Sequence, residues 1–123
     1  KTDVEACPDA QFSAADSVQP GEALPIEVSR GCAFNCKFCH YEKRTSLRKS
    51  LALLRAELIR NYERFGTTTY HFTDDCFNDH PDKVRSLCGL FRELPFEINW
   101  ASYARVDVAV KFPETISMMV DSG

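Results

Sequence analysis

Three times along this chain, a short run rich in β-branched and aromatic residues gives way to a loop and then to apolar residues at helical spacing. That alternation constrains the fold more than any single residue does. A strand followed by a crossing helix returns to pair in parallel, so repeated units predict a parallel α/β sheet or barrel. The first unit starts with Ile26-Glu27-Val28-Ser29. Its helix carries Leu47, Leu51, Leu54, Leu58, Ile59, Tyr62 and Phe65 on one face, with Thr45 or Ser46 as cap and Gly66 as stop. The second strand is expected over residues 67–73 and ends at Asp74-Asp75. Pro81 then suits the first turn of a helix bearing Val84, Leu87, Leu90, Phe91 and Leu94. Residues 96–103 predict a third strand, and Pro113 opens a third helical segment.

The remaining composition narrows the setting. With 44% hydrophobic and 27% charged residues, the chain reads as ordinary globular material, and its 123 residues suit one small domain or part of a larger one. A formal net charge of −3 argues against a nucleic-acid-seeking surface. The basic run from Lys37 through Lys43, Arg44, Arg48 and Lys49 reads as a solvated loop and helix start. No apolar stretch is long enough to predict a membrane span, and no secretory signal is visible, so a cytoplasmic, reducing location is expected. Residues 1–22 are polar and broken by Pro8, Pro20 and Gly21, which predicts a linker or arm. The last helix stops at Asp121-Ser122-Gly123 where another strand is expected, so the chain reads as incomplete.

The chemistry concentrates between the first strand and the first helix. Ser29 to Arg44 reads SRGCAFNCKFCHYEKR, with Cys32, Cys36 and Cys39 followed at once by His40. Four chemistries fit parts of it. Cys36-Lys37-Phe38-Cys39-His40 matches a c-type haem attachment site, but that reading discards Cys32 and implies export. Zinc needs four tetrahedral ligands, and the adjacent pair Cys39 and His40 would have difficulty facing one ion. A thioredoxin-like pair at Cys36 and Cys39 also discards Cys32. An iron–sulfur cube held by three thiolates uses all three cysteines and leaves one iron open to a ligand. A loop at the C-terminal end of a strand is where α/β folds hold their sites. Phe34 and Phe38 alternate with the cysteines, either to keep water off a cluster or simply to pack the loop.

The spacing Cys32-x3-Cys36-x2-Cys39 after a short strand, with Phe38 just before the third cysteine, resembles the radical S-adenosylmethionine superfamily. The wider LPIEVSRGCAFNCKFC, together with the later FTDDCFN, resembles the subgroup that often carries an upstream cobalamin-binding domain. The resemblance covers roughly residues 23–123.

It implies that those residues are the N-terminal half of a partial (β/α)6 TIM-like barrel. It also implies an enzyme in which a 4Fe-4S cluster reductively cleaves S-adenosylmethionine to a 5′-deoxyadenosyl radical, which abstracts hydrogen from substrate. Cys32, Cys36 and Cys39 match the cluster ligands, and Phe38 matches the aromatic residue lying against the adenine. Asp74 and Asp75 stand where the family commonly has a Gly-Gly-Glu stretch for the methionine amino group. This chain departs from that stretch but keeps acidic groups, and turn or helix-start roles are the plainer reading of both. Ser102 and Arg105 would reach the ribose or carboxylate, with an Arg105–Asp107 pair as the structural alternative. The implied partners are a small-molecule or peptide substrate and a one-electron reductant such as flavodoxin or ferredoxin. Cobalamin would come from a domain outside this chain.

The other polar and aromatic residues carry plainer expectations. Trp100 is expected in the core or at the barrel mouth, Cys76 as a buried structural thiol, Cys7 and Cys88 as incidental, and His40 as a bystander. His71 falls inside a strand, and His80 is expected to cap or precede the second helix. The rival class is a non-catalytic iron–sulfur or zinc module used for electron transfer or scaffolding.

Overall fold

The computed structural model describes residues 10–40 and 47–123. The expected caps Thr45 and Ser46, and Cys7, lie outside the described residues. In chain order the elements are β1 (Leu24–Ile26), β2 (Ser29–Arg30), β3 (Leu47–Arg48), α1 (Leu51–Phe65), β4 (Thr69–Phe72), α2 (Pro81–Arg92), β5 (Asn99–Ser102), α3 (Val106–Lys111) and α4 (Glu114–Val120). Strands β1, β4 and β5 form a parallel sheet in that order, while β2 and β3 pair as a separate antiparallel ribbon. The chain is thus an α/β fold built on a three-stranded parallel sheet, and its described strands do not close into a barrel. None of the described helices is long and apolar enough to cross a membrane.

Register explains how one face becomes the core. Leu24, Tyr70 and Trp100 align across the sheet, as do Ile26, Phe72 and Ser102. Leu24, Ile26, Tyr70 and Phe72 are all buried, because strand side chains alternate and this parity faces the helices. Around Phe72, the rings of Phe91, Trp100 and Phe77 lie at centroid distances of 5.0, 5.5 and 6.0 Å. From α1, Leu54 and Leu58 complete the core; from α2, Val84, Leu87, Cys88, Leu90 and Phe91 do so. Helix α1 packs on α2, and α2 packs on α4, so both crossovers lie on the same side of the sheet. The opposite parity, Pro25, His71 and Ala101 with Thr69 and Asn99, is left open or half-open.

The first unit differs from its expectation. What looks like one strand over residues 26–29 is two: Leu24–Ile26 joins the sheet, and Ser29–Arg30 turns away into the ribbon. Leu47 belongs to that ribbon, opposite Arg30, rather than to the helix. The helix begins later because Ser50 caps it, its hydroxyl accepting from the Leu53 N–H, while the Lys49 N–H donates to the Val28 carbonyl. Leu47 and Leu51 stand one helical turn apart, so apolar spacing alone could not separate a two-residue strand from a first turn. At its other end the helix stops as expected, with Gly66 at a φ of 68° in the left-handed region.

The third helical segment also starts before Pro113. Proline lacks an N–H, so the run breaks at Phe112 and resumes at Glu114, giving two short helices. The described part of the N-terminal arm is not loose. The Ala10 N–H donates to Glu57, Arg60 donates to the Ala10 carbonyl, and Phe12 and Val18 pack against the core. Glu57 is itself buried and ion-paired with the equally buried Lys49 at 2.6 Å.

Candidate functional site

The cysteine segment leaves the ribbon at Arg30, and the chain returns to the ribbon at Leu47. Gly31 makes the departure possible, with a φ of 91° that a side chain would strain. Further on, the Cys39 N–H donates to the Cys36 carbonyl at 3.0 Å, closing a turn around Lys37 and Phe38. A turn closed in this way brings its first and fourth residues together, so Cys36 and Cys39 are neighbours in space as well as in sequence. All three cysteines are half-buried free thiols, Phe38 is 84% exposed, and His40 is exposed.

Two struts anchor this segment, both from the loop that follows β4. The first is Asp74. Its Oδ1 accepts from the Val28 and Ser29 N–H groups, each at 3.0 Å. Its Oδ2 accepts from the Ser29 hydroxyl and lies 3.0 Å from the Lys83 ammonium. Lys83, only 2% exposed, also donates to the Ser29 hydroxyl at 2.7 Å and to the Cys76 carbonyl at 3.0 Å, and lies 3.3 Å from Asp79. The second strut is Asn78. Its side-chain amide donates to the Arg105 carbonyl at 2.9 Å and accepts from the Arg105 N–H at 2.7 Å. Beside it the Phe77 N–H donates to the Tyr103 carbonyl.

Arg105 then reaches back to the cysteines. Its Nε and Nη2 donate to the two Asp107 oxygens at 2.9 and 2.7 Å, and its Nη1 donates to the Cys36 sulfur at 2.7 Å. The guanidinium stacks 4.2 Å from the Phe34 ring centroid. Asp107 first, and Cys36 second, push the Arg105 pKa above its ordinary value, so this cation keeps its proton. Asp107 is held below the usual carboxylate range by the same fork. Cys76 sits deeper. Burial, then Asp79 and Cys32, push its thiol up to about 11, which keeps it neutral and places Cys32 within electrostatic reach.

The structure therefore gathers some of the expected residues and redirects others. Cys36, Phe34, Arg105 and Asp107 come together, which was expected only as an Arg105–Asp107 pair. Asp75 is exposed beside the site, with no partner fixing it in the bonds above. Asp74 is corrected: 1% exposed and with both oxygens engaged, it holds the polypeptide rather than facing a ligand. Ser102 shares the inward parity of Phe72, and its hydroxyl donates to the Phe72 carbonyl at 2.9 Å, so it too is turned from the expected ribose contact. The Arg105 fork is occupied by Asp107 instead of standing free for a carboxylate. Trp100 packs on the core rings, Cys76 is buried, and His80 caps α2 with its ring nitrogen, all as expected, while Cys88, expected only as incidental, is buried in α2.

Sequence reasoning missed Ser29, Lys83 and Asn78. Only the Lys83 position carried a signal, since a lysine among the apolar residues of a helix face must find a buried anion.

In donor chemistry the three thiols on one loop fit an iron–sulfur cluster with an open iron. Among the described residues, no three His, Cys, Asp or Glu side chains are already drawn to one point. No family model, curated protein or solved structure matches the chain.

Proposed function

We propose that this chain is part of a radical S-adenosylmethionine enzyme. In this reading Cys32, Cys36 and Cys39 hold a 4Fe-4S cluster, and the parallel units are the first of a partial (β/α)6 barrel. The observation that carries it is a three-cysteine loop at the C-terminal end of a parallel sheet, strutted directly by Asp74 and, through Arg105, by Asn78. Haem and thioredoxin chemistry would leave Cys32 without a purpose.

When bound, the cluster supplies a low-potential electron that opens the sulfonium S–C bond of S-adenosylmethionine. The chain's own residues bind, orient and shield. Phe38, exposed at the tip of the Cys36–Cys39 turn, offers an aromatic face to adenine. Asp75 offers a solvent-facing carboxylate to the methionine ammonium. Phe34 and the Arg105 guanidinium stacked on it cover one side of Cys36 against water. The open sheet face with Thr69, His71 and Asn99 is the one a barrel would enclose, and substrate would approach the site from there. The reading implies a reducing, cytoplasmic setting and a flavodoxin or ferredoxin as electron donor, in a subgroup that often carries an upstream cobalamin domain.

The test is anaerobic reconstitution with iron and sulfide, followed by reduction with dithionite in the presence of S-adenosylmethionine. The expected result is a thiolate-to-iron charge-transfer band, a reducible cluster by electron paramagnetic resonance, and 5′-deoxyadenosine release from the whole protein. Stoichiometric zinc without iron would favour the scaffold module instead.

A further inference from the structure

The Arg105 contact goes beyond a ligand set, and it rests on the cluster reading above. Sulfur atoms of iron–sulfur ligands are tuned by the hydrogen bonds they accept, since each donor stabilises the extra negative charge of the reduced state. Of the described side-chain hydrogen bonds to the three loop cysteines, the one from Arg105 Nη1 to Cys36 comes from a full cation, at 2.7 Å. A charged donor is roughly twice as strong as a neutral one. Three features keep it aimed. Asp107 grips the other two guanidinium nitrogens in a fork, Phe34 supports the guanidinium plane, and Asn78 fixes the Arg105 backbone through both its N–H and its carbonyl. Asn78 itself is only 1% exposed, so this anchor is part of the folded core rather than a surface contact.

We infer that Arg105 is a positioning residue that holds the Cys36 thiolate and raises the reduction potential of the cluster. Its place after β5, far from the cysteines in sequence, makes the potential depend on the third strand unit being folded. The fork on Asp107 serves orientation: two nitrogens are fixed so that the third meets sulfur. A lysine has no such fork and would keep the charge without the aim.

The test compares the reconstituted full chain with R105Q, R105K and R85Q. The last removes the same charge from an exposed pair with Asp82 on α2. Iron and sulfide content are measured first, then the midpoint potential by spectroelectrochemistry. R105Q is expected to take up cluster and to lower the equilibrium constant for one-electron reduction at least tenfold, a shift of about 59 mV to more negative potential. R105K should shift less in the same direction, and R85Q should match the parent. Equal potentials in R105Q and the parent would overturn the inference, as would an equal shift in R85Q. If R105Q fails to hold cluster, R105K decides, and an unchanged potential there overturns it. A parent chain that takes up no iron defeats the cluster reading itself, which separates the two failures.

Discussion

Two loops meet beyond the C-terminal end of the sheet, one leaving the ribbon strand β2 and one leaving β4, and they are built in opposite ways. Most of the loop after β4 is interior, with Thr73, Asp75 and His80 exposed. Asp74, Cys76, Phe77, Asn78 and Asp79 are buried or nearly so, and Asp74, Asn78 and Lys83 spend their polar atoms on the main chain or on one another. The loop after β2 carries its thiols half-exposed and sets Phe38 in solvent. One loop is a frame and the other is held in it. A reactive loop cannot supply its own rigidity without covering the atoms it must present, so the neighbour supplies it.

If that division is right, substitutions in the frame should cost stability, while substitutions in the held loop should cost only chemistry. The largest effect is expected at Asp74. D74A removes every acceptor of the Val28 and Ser29 N–H groups described above, and it leaves Lys83 buried with only Asp79 as a counter-charge. Breaking a buried ion pair from one side costs about 3–5 kcal/mol, which urea denaturation would read as a drop in midpoint at unchanged slope. A loss below about 1 kcal/mol would show that the frame is not where the stability lies. N78A should come next, at about 1–2 kcal/mol, since it strands the half-buried N–H and carbonyl of Arg105.

These two positions also show what a sequence makes legible. The alternation of strands and helices was readable because periodicity is a local property, and β4, α2 and β5 fall inside the expected segments. The gathering of the three cysteines on one loop was readable because their spacing is itself local. The direction of a carboxylate was not readable. Asp74 continues the inward parity of Tyr70 and Phe72 and Asp75 the outward one, but both lie past the end of β4, where a strand's alternation no longer has to hold. Asn78 looks like any turn residue, because its partner Arg105 lies on the far side of the next crossover. The ribbon was hidden for a third reason. Two residues pairing with two others leave no period to detect, and the apolar Leu47 fits the helix face equally well.

A smaller effect belongs to Cys76, in the loop after β4 and within electrostatic reach of Cys32 in the other loop. Burial first, and then Asp79 and Cys32, raise its thiol from an ordinary 9.0 to about 11. The folded chain therefore holds this proton more tightly than the unfolded chain does. The contribution is intact below about pH 9 and is lost as pH rises through about 11. Unfolding free energies measured from pH 8 to 11 should fall more steeply in the parent than in C76S. Parallel curves would mean that this thiol sits in a wetter place than the frame allows.

The smallest effect on the fold should come from Phe38, and it tests the held loop directly. At 84% exposure the ring contributes little packing, so F38A should change stability by no more than about 0.5 kcal/mol in thermal or urea denaturation. Binding should respond quite differently. Stacking of a base on an aromatic side chain is worth about 1–3 kcal/mol, so the reconstituted F38A chain should bind S-adenosylmethionine roughly 5- to 150-fold more weakly by equilibrium dialysis. Lys37, its neighbour in the same turn, supplies the control. K37A removes another exposed side chain without removing a ring, so its affinity should stay close to the parent's. A frame residue could not give that pattern, because D74A would lose stability and affinity together. Unchanged binding in F38A would remove the ring from the site while leaving the cysteines in place. A large loss of stability in F38A would instead break the comparison, because the exposed loop would then be holding up part of its own frame.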